Sequence, residues 1–190
     1  DLRLHPRDKI SWLETGLKAA KMIGDRSAES AHLGNLGLAY FNLGETRKAI
    51  GHMERALNIL RRIGNRRGEG NTLDNLGNAY ARLCETRKAI EYHEQALDIS
   101  REIGDRRGEG NSLGNLGNAY ADLDQTKKSI EYYEQALDIS REIGDRRGEG
   151  NSLGNLGNAY ADLDQTKKSI EYYEQALDIS REIGDRRGEG

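Results

Sequence analysis

Residues 111–150 and 151–190 are the same forty residues in the same order. Residues 71–110 match that unit at 32 positions, and residues 31–70 match 71–110 at 25. A period of this length leaves little choice of architecture. One unit is too small to bury its own apolar face, so neighbouring units must cover one another in a line.

Inside the unit the apolar residues follow helical spacing. In 111–123, Leu113, Leu116, Tyr120 and Leu123 fall at i, i+3, i+7 and i+10, one face of a first helix. In 127–143, Ile130, Tyr133, Leu137, Ser140 and Ile143 mark one face of a second helix, with charges opposite. Asp124-Gln125-Thr126 between them is polar, and Thr126 is expected to cap the second helix. Gly144 suits the left-handed position that ends that helix, and Asp145 the N-cap of the next first helix. Glycine occurs 23 times and proline once, an imbalance for which the repeat accounts.

The phase extends to the N-terminus. Ile10, Leu13, Leu17 and Ile23 stand forty positions before Ile50, Met53, Leu57 and Ile63. Residues 6–24 therefore read as a second helix without its own first, with Pro6 in its opening turn. Helix-pair repeats follow at 25–64, 65–104, 105–144 and 145–184, and 185–190 opens a further first helix. Terminal repeats normally carry polar caps. Here Leu177, Ile179 or Ile183 is expected to lie partly uncovered, a face that invites end-to-end self-association or a partner's helix.

Several function classes fall away. The 29 basic residues are outnumbered by 32 acidic ones, whereas a nucleic-acid binder shows a basic excess. Cys84 is the only cysteine, so no intramolecular disulfide forms, and a reducing, cytoplasmic compartment is expected. No apolar run approaches the roughly 18 residues that span a bilayer, and the start does not look like a signal peptide. The histidines His5, His32, His52 and His93 occupy no common repeat position; His93 takes the slot of Met53 and Tyr133 and is expected to pack rather than ligate. Asp122-x-Asp124-x-Thr126 lacks the glycine and final glutamate of a calcium loop. Gly108–Gly114 lacks the preceding strand and the Gly-Lys-Ser/Thr ending of a phosphate loop. Arg106-Arg107, flanked by Asp105 and Glu109, is expected to form ion pairs. No catalytic residue, cofactor or metal site is expected.

Leu116-Gly117-Asn118-Ala119-Tyr120, with Ala136 in the following helix, resembles the tetratricopeptide repeat. Leu113 stands where that family has tryptophan, and Tyr133 fills its aromatic slot. The second-helix alanine is Ala49 or Ala89 in the earlier units but Ser129 or Ser169 in the later ones. The resemblance implies an all-α solenoid, a right-handed superhelix of antiparallel helix pairs. The forty-residue form, rich in asparagine, is similar to the repeats of LGN/Pins-type polarity adaptors, kinesin light chains and arrays joined to bacterial regulatory ATPases. It departs from the usual length and lacks the proline that ends the second helix, and the identity of two units leaves recent duplication or engineering open. Gly117 matches the position where the paired helices approach most closely.

Asn111, Asn115 and Asn118 share one face of the first helix at i, i+4 and i+7. They recur as Asn151, Asn155 and Asn158 and as Asn71, Asn75 and Asn78. Asparagine is a mediocre helix former, so three per helix need a reason. The resemblance places first helices along a concave surface, where an amide can pair with both the N–H and the C=O of an extended peptide. An extended segment of a partner protein is the expected ligand. Bridging between repeats is the competing reading for Asn115, and capping for Asn111. Gly114 would keep the inner surface open. Arg82, Asp122 and Asp162, at the variable position that follows, are where charge selectivity would enter, together with Asp74 in place of Gly114. A purely structural or self-assembling array is the alternative function.

Overall fold

The computed structural model describes residues 6–184, and every element among them is an α-helix. In order these are α1 (Pro6–Ile23), α2 (Arg26–Asn42), α3 (Thr46–Ile63), α4 (Arg66–Arg82), α5 (Thr86–Glu102), α6 (Arg106–Ala121), α7 (Thr126–Glu142), α8 (Arg146–Asp162) and α9 (Thr166–Glu182). The chain forms two compact units, Asp1–Ile99 and Ser100–Gly190, with α5 running through the boundary. The expected opening of a further helix at 185–190 lies outside the described residues.

Two kinds of turn join the helices. After each second helix a glycine takes a left-handed conformation, as at Gly144 (φ 68°), where a side chain would be strained. The Asp145 amide then closes the turn on the Ser140 carbonyl at 2.8 Å, and its side chain accepts from Gly148 N at 3.0 Å, capping α8 as expected. Within a pair the backbone closes in the same way, but the left-handed residue is a glycine only at Gly44, and α3, α7 and α9 have no side-chain cap. Asp124 itself is left-handed (φ 56°), like Cys84 and Asp164, and the Gln125 amide reaches the Tyr120 carbonyl at 2.9 Å. Thr126 is consequently not the cap of the second helix. It is the first helical residue, Gln125 holds the cap position, and no side-chain cap bond forms. The Lys128 and Ser129 amides at the start of α7 both reach the Gln125 carbonyl at 3.0 Å.

The two periodic faces meet as anticipated. In the second unit Ile130, Tyr133, Leu137, Leu153, Leu156 and Tyr160 form one core; in the first, Leu13, Leu17, Leu33, Leu36, Ala56 and Leu60 form another. Gly117 is where α6 and α7 touch: a Cβ there would fall 2.5 Å from Tyr133 Cδ1. Gly37 meets Met53 and Gly77 meets His93 in the same way.

The charged composition is ordered by geometry. Glu109, buried in the first turn of α6, accepts from Arg101 Nε at 2.9 Å and is paired again by Arg106. Glu149 repeats this with Arg141 at 3.0 Å and Arg146 at 2.5 Å, and Glu69 with Arg61 and Arg66. A carboxylate at a helix N-terminus is favoured by the exposed N–H groups there, and two guanidinium partners compensate its burial. Arg106 also pairs with Glu142, which holds that carboxyl below its ordinary range. At the core's edge, buried Tyr120 stacks on Tyr132 with centroids 5.3 Å apart, and Lys128 sits over the Tyr120 ring at 3.9 Å.

Candidate functional site

Within the second unit, α6 and α8 present their asparagines along one cavity of about 500 Å³. Asn111, Asn115, Asn118, Asn151, Asn155 and Asn158 all line it. Asn111, Asn118, Asn151 and Asn158 are exposed, while Asn115 and Asn155 are half-buried. Gly114 and Gly154 form part of the lining, and a Cβ on either would meet nothing within 4 Å. These two glycines leave open space in which a longer side chain would stand.

The amides are held from behind. Tyr133 Oη donates to Asn118 Oδ1 at 2.8 Å, and Asn155 Nδ2 donates to the same oxygen at 3.4 Å. Tyr173 Oη donates to Asn158 Oδ1 at 2.6 Å. A phenol can fill the amide oxygen only as donor, which orients the amide and leaves its Nδ2 hydrogens for another partner. Burial, joined by the nearby Asp122 carboxylate, pushes the Tyr133 phenol up to about 12. It is therefore protonated, and a donor, at any ordinary pH.

A second cavity of about 260 Å³ adjoins the first through Asn118, Asn155 and Asn158. Tyr133, Ala121 and Ala159 form further walls, and the exposed carboxylates of Asp122 and Asp162 complete it. Among the described residues neither aspartate forms an ion pair, whereas Arg107 in the larger cavity lies 3.7 Å from Asp145.

The remaining sequence-predicted residues belong to the first unit. Asn71 and Asn78 are exposed on α4, and Asn75 is half-buried. Arg82 donates from Nη1 to the Phe41 carbonyl at 2.8 Å and places its guanidinium 4.8 Å from the Phe41 ring centre. Asp74 is engaged by buried His93, whose Nδ1 lies 2.8 Å away. His93 is thus packed, as its slot indicated. Asn111 is no cap: α6 begins five residues earlier and Asp105 caps it. The bridge between first helices weighed for Asn115 is seen one copy later, where Asn155 reaches Asn118.

The tyrosines behind Asn118 and Asn158 were not anticipated. A signal for them existed. Where the slot holds apolar Met53, Leu38 stands at the asparagine position; where it holds Tyr133 or Tyr173, Asn118 or Asn158 does; and where it holds His93, Asp74 is added. The polar tip changes together with the residue able to meet it.

Among the described residues no three His, Cys, Asp or Glu side chains are placed to hold a metal ion, and no helix is long and apolar enough to cross a membrane. A model of the tetratricopeptide repeat matches residues 27–102 and 108–182. The structure of BtubC from P. vanneervenii is similar over 95% of this chain and 75% of its own, at 20% identity and a TM-score of 0.82. A Rap protein complexed with competence and sporulation factor is similar over 96% of this chain and 52% of its own, at 16% identity and a TM-score of 0.81. So is a Signal Transduction ATPase with Numerous Domains from Pyrococcus horikoshii, which carries a tetratricopeptide repeat sensor; 96% of this chain covers 30% of that one, at 25% identity and a TM-score of 0.81. This chain thus spans about half of the Rap protein and under a third of the ATPase. No curated protein matches the sequence.

Proposed function

The chain belongs to the tetratricopeptide repeat family, and from that premise we propose that it is a non-catalytic interaction scaffold that holds an extended segment of a partner protein along the asparagines of α6 and α8. The observation that carries this reading is the pair of tyrosine-held amides, Asn118 and Asn158, lining a glycine-opened cavity. An extended peptide offers C=O groups that must be re-paired when water leaves them, and the Nδ2 hydrogens of the two held amides are free to donate to them. Because the tyrosines hold these amides in place, less side-chain freedom is lost on binding. The similar fold of a Rap protein complexed with competence and sporulation factor supports the same use of such repeats.

The test is a display selection of short random peptides against the chain, repeated with Asn118→Ala and Asn158→Ala together. A motif enriched by the parent should bind the double variant about tenfold more weakly or worse, since each lost hydrogen bond contributes roughly 0.5–1.5 kcal/mol. Equal affinity for both proteins would remove the asparagines from the binding account.

Self-association is a competing proposal. It is supported by the exposure of Ile170, Tyr173 and Ile183 on and just after α9 and by the half-burial of Leu177, but weakened by Ile179, which is buried. Light scattering across a concentration series decides it: a molar mass constant at that of one chain would sink it.

A further inference from the structure

We propose that the smaller cavity between α6 and α8 selects a basic side chain, arginine above lysine, in the peptide bound along the asparagines. This rests on the peptide-binding reading above and adds the chemistry of its ligand.

Equivalent places in the two units carry different residues. In the first unit Phe41 on α2 and Arg82 on α4 meet, with the guanidinium over the ring and bonded to the Phe41 carbonyl. Their counterparts in the second unit, forty residues per repeat later, are Ala121 on α6 and Asp162 on α8. The ring has shrunk to a methyl group and the charge has changed sign. Where the first unit lays its own exposed guanidinium over Phe41, the second has a cavity of about 260 Å³ walled by Ala121 and Asp162. The vacated space is the kind of place that, one unit earlier, accommodates a guanidinium.

Its walls suit that group. Asp122, which follows the last residue of α6, and Asp162, which is the last residue of α8, supply two carboxylates with no ion pair among the described residues. Asn118, Asn155 and Asn158 line the same cavity, but the Oδ1 atoms of Asn118 and Asn158 are already filled by tyrosines, so the two carboxylates are the charged acceptors. A guanidinium carries five donors in a planar fork and can serve several acceptors at once, while an ammonium acts as a compact point charge. The larger cavity continues from the same asparagines, so a peptide main chain lying on them would bring a side chain within reach of the aspartates. Both carboxylates are exposed, so the attraction is screened by salt and improves selectivity more than affinity.

The experiment is the display selection of short random peptides, run on the parent chain, on Asp122→Asn with Asp162→Asn, and on Ala121→Phe with Asp162→Arg. The parent should enrich a motif with arginine or lysine at one fixed position. The asparagine pair is isosteric and should melt at the parent temperature, yet bind a basic-motif peptide roughly tenfold more weakly, as expected for loss of charge-assisted hydrogen bonds. It should bind the same peptide with glutamine at the basic position as the parent does. The second variant rebuilds the contact of the first unit and should also lose the basic preference. A motif that depends on Asn118 and Asn158 but has no basic position, or a basic preference that survives Asp122→Asn with Asp162→Asn, overturns this inference and leaves peptide binding standing. Absence of any motif overturns both.

Discussion

The helices α7 and α9 are the same seventeen residues, each preceded by an identical first helix. Yet Ile130 is 8% exposed and its copy Ile170 is 50%; Tyr133 is 4% exposed and Tyr173 is 42%. Other copies do not differ: Ile139 and Ile179 are equally buried, as are Glu109 and Glu149. The contrast separates two sources of burial that sequence alone merges. One face of a second helix is covered by its own pair, as Ile179 is by Gly150, where a Cβ would fall 3.2 Å from Ile179 Cγ2. The other is covered by the next first helix, as α8 covers α7. Of Leu177, Ile179 and Ile183, at least one of which was expected to lie partly uncovered, Ile183 is exposed and Leu177 half-buried, while Ile179 is buried because it faces back into its own pair.

Paired substitutions turn the contrast into energies. Ile130→Ala should cost about 2–4 kcal/mol, in the range for a buried large-to-small change, and Ile170→Ala less than about 1 kcal/mol. Urea denaturation read by hydrogen exchange within each repeat measures both, and equal costs would mean that the neighbour contributes nothing. Gly117→Ala should destabilise by about 1–3 kcal/mol, because Tyr133 is enclosed and cannot yield to the new methyl. Gly157→Ala meets the half-exposed Tyr173, which can swing outward, so it should be close to neutral or offset by the roughly 1 kcal/mol gain in helix propensity. Thermal melts of the two single variants are sufficient.

The clamped glutamates supply the opposite test. Glu109 and Glu149 each take their guanidinium partners from the preceding second helix and from their own first turn, never from a following repeat. Glu109→Gln and Glu149→Gln should therefore cost the same, about 1–3 kcal/mol each, the penalty for weakening a buried charge-assisted pair. A marked difference would show that position along the array matters beyond direct contact.

Much of this was legible beforehand because the period is exact and the helical faces are unambiguous. The glycine at 144, the aspartate cap at 145 and the tight approach at Gly117 all follow from backbone requirements that few residue types meet. Thr126 misled because a threonine before an apolar run is the ordinary cap signal, while the turn is closed instead by backbone bonds around a left-handed Asp124. The asparagine face was readable from spacing, but its support was not. Tyr133 looked like a core aromatic, and nothing in the spacing of α7 says that its hydroxyl reaches Asn118 fifteen residues back.

That hydroxyl gives the smallest and most local prediction. Tyr133→Phe removes the donor to Asn118 but keeps the ring against Gly117, so near neutral pH it should cost about 1 kcal/mol. Its clearer signature is in alkali. The folded phenol is held up at about 12, mainly by burial, against an ordinary 10.0. A group whose folded pKa is raised stabilises the fold fully below its unfolded pKa and loses that contribution as pH climbs through the folded one. The stability difference between parent and Tyr133→Phe should thus stay constant up to about pH 10 and then shift against the parent between about 10 and 12. Denaturation curves at successive alkaline pH values read this directly. A difference independent of pH throughout that window would mean that Tyr133 is not enclosed as its copy Tyr173 is not, and the contrast between the two helices would fail at its centre.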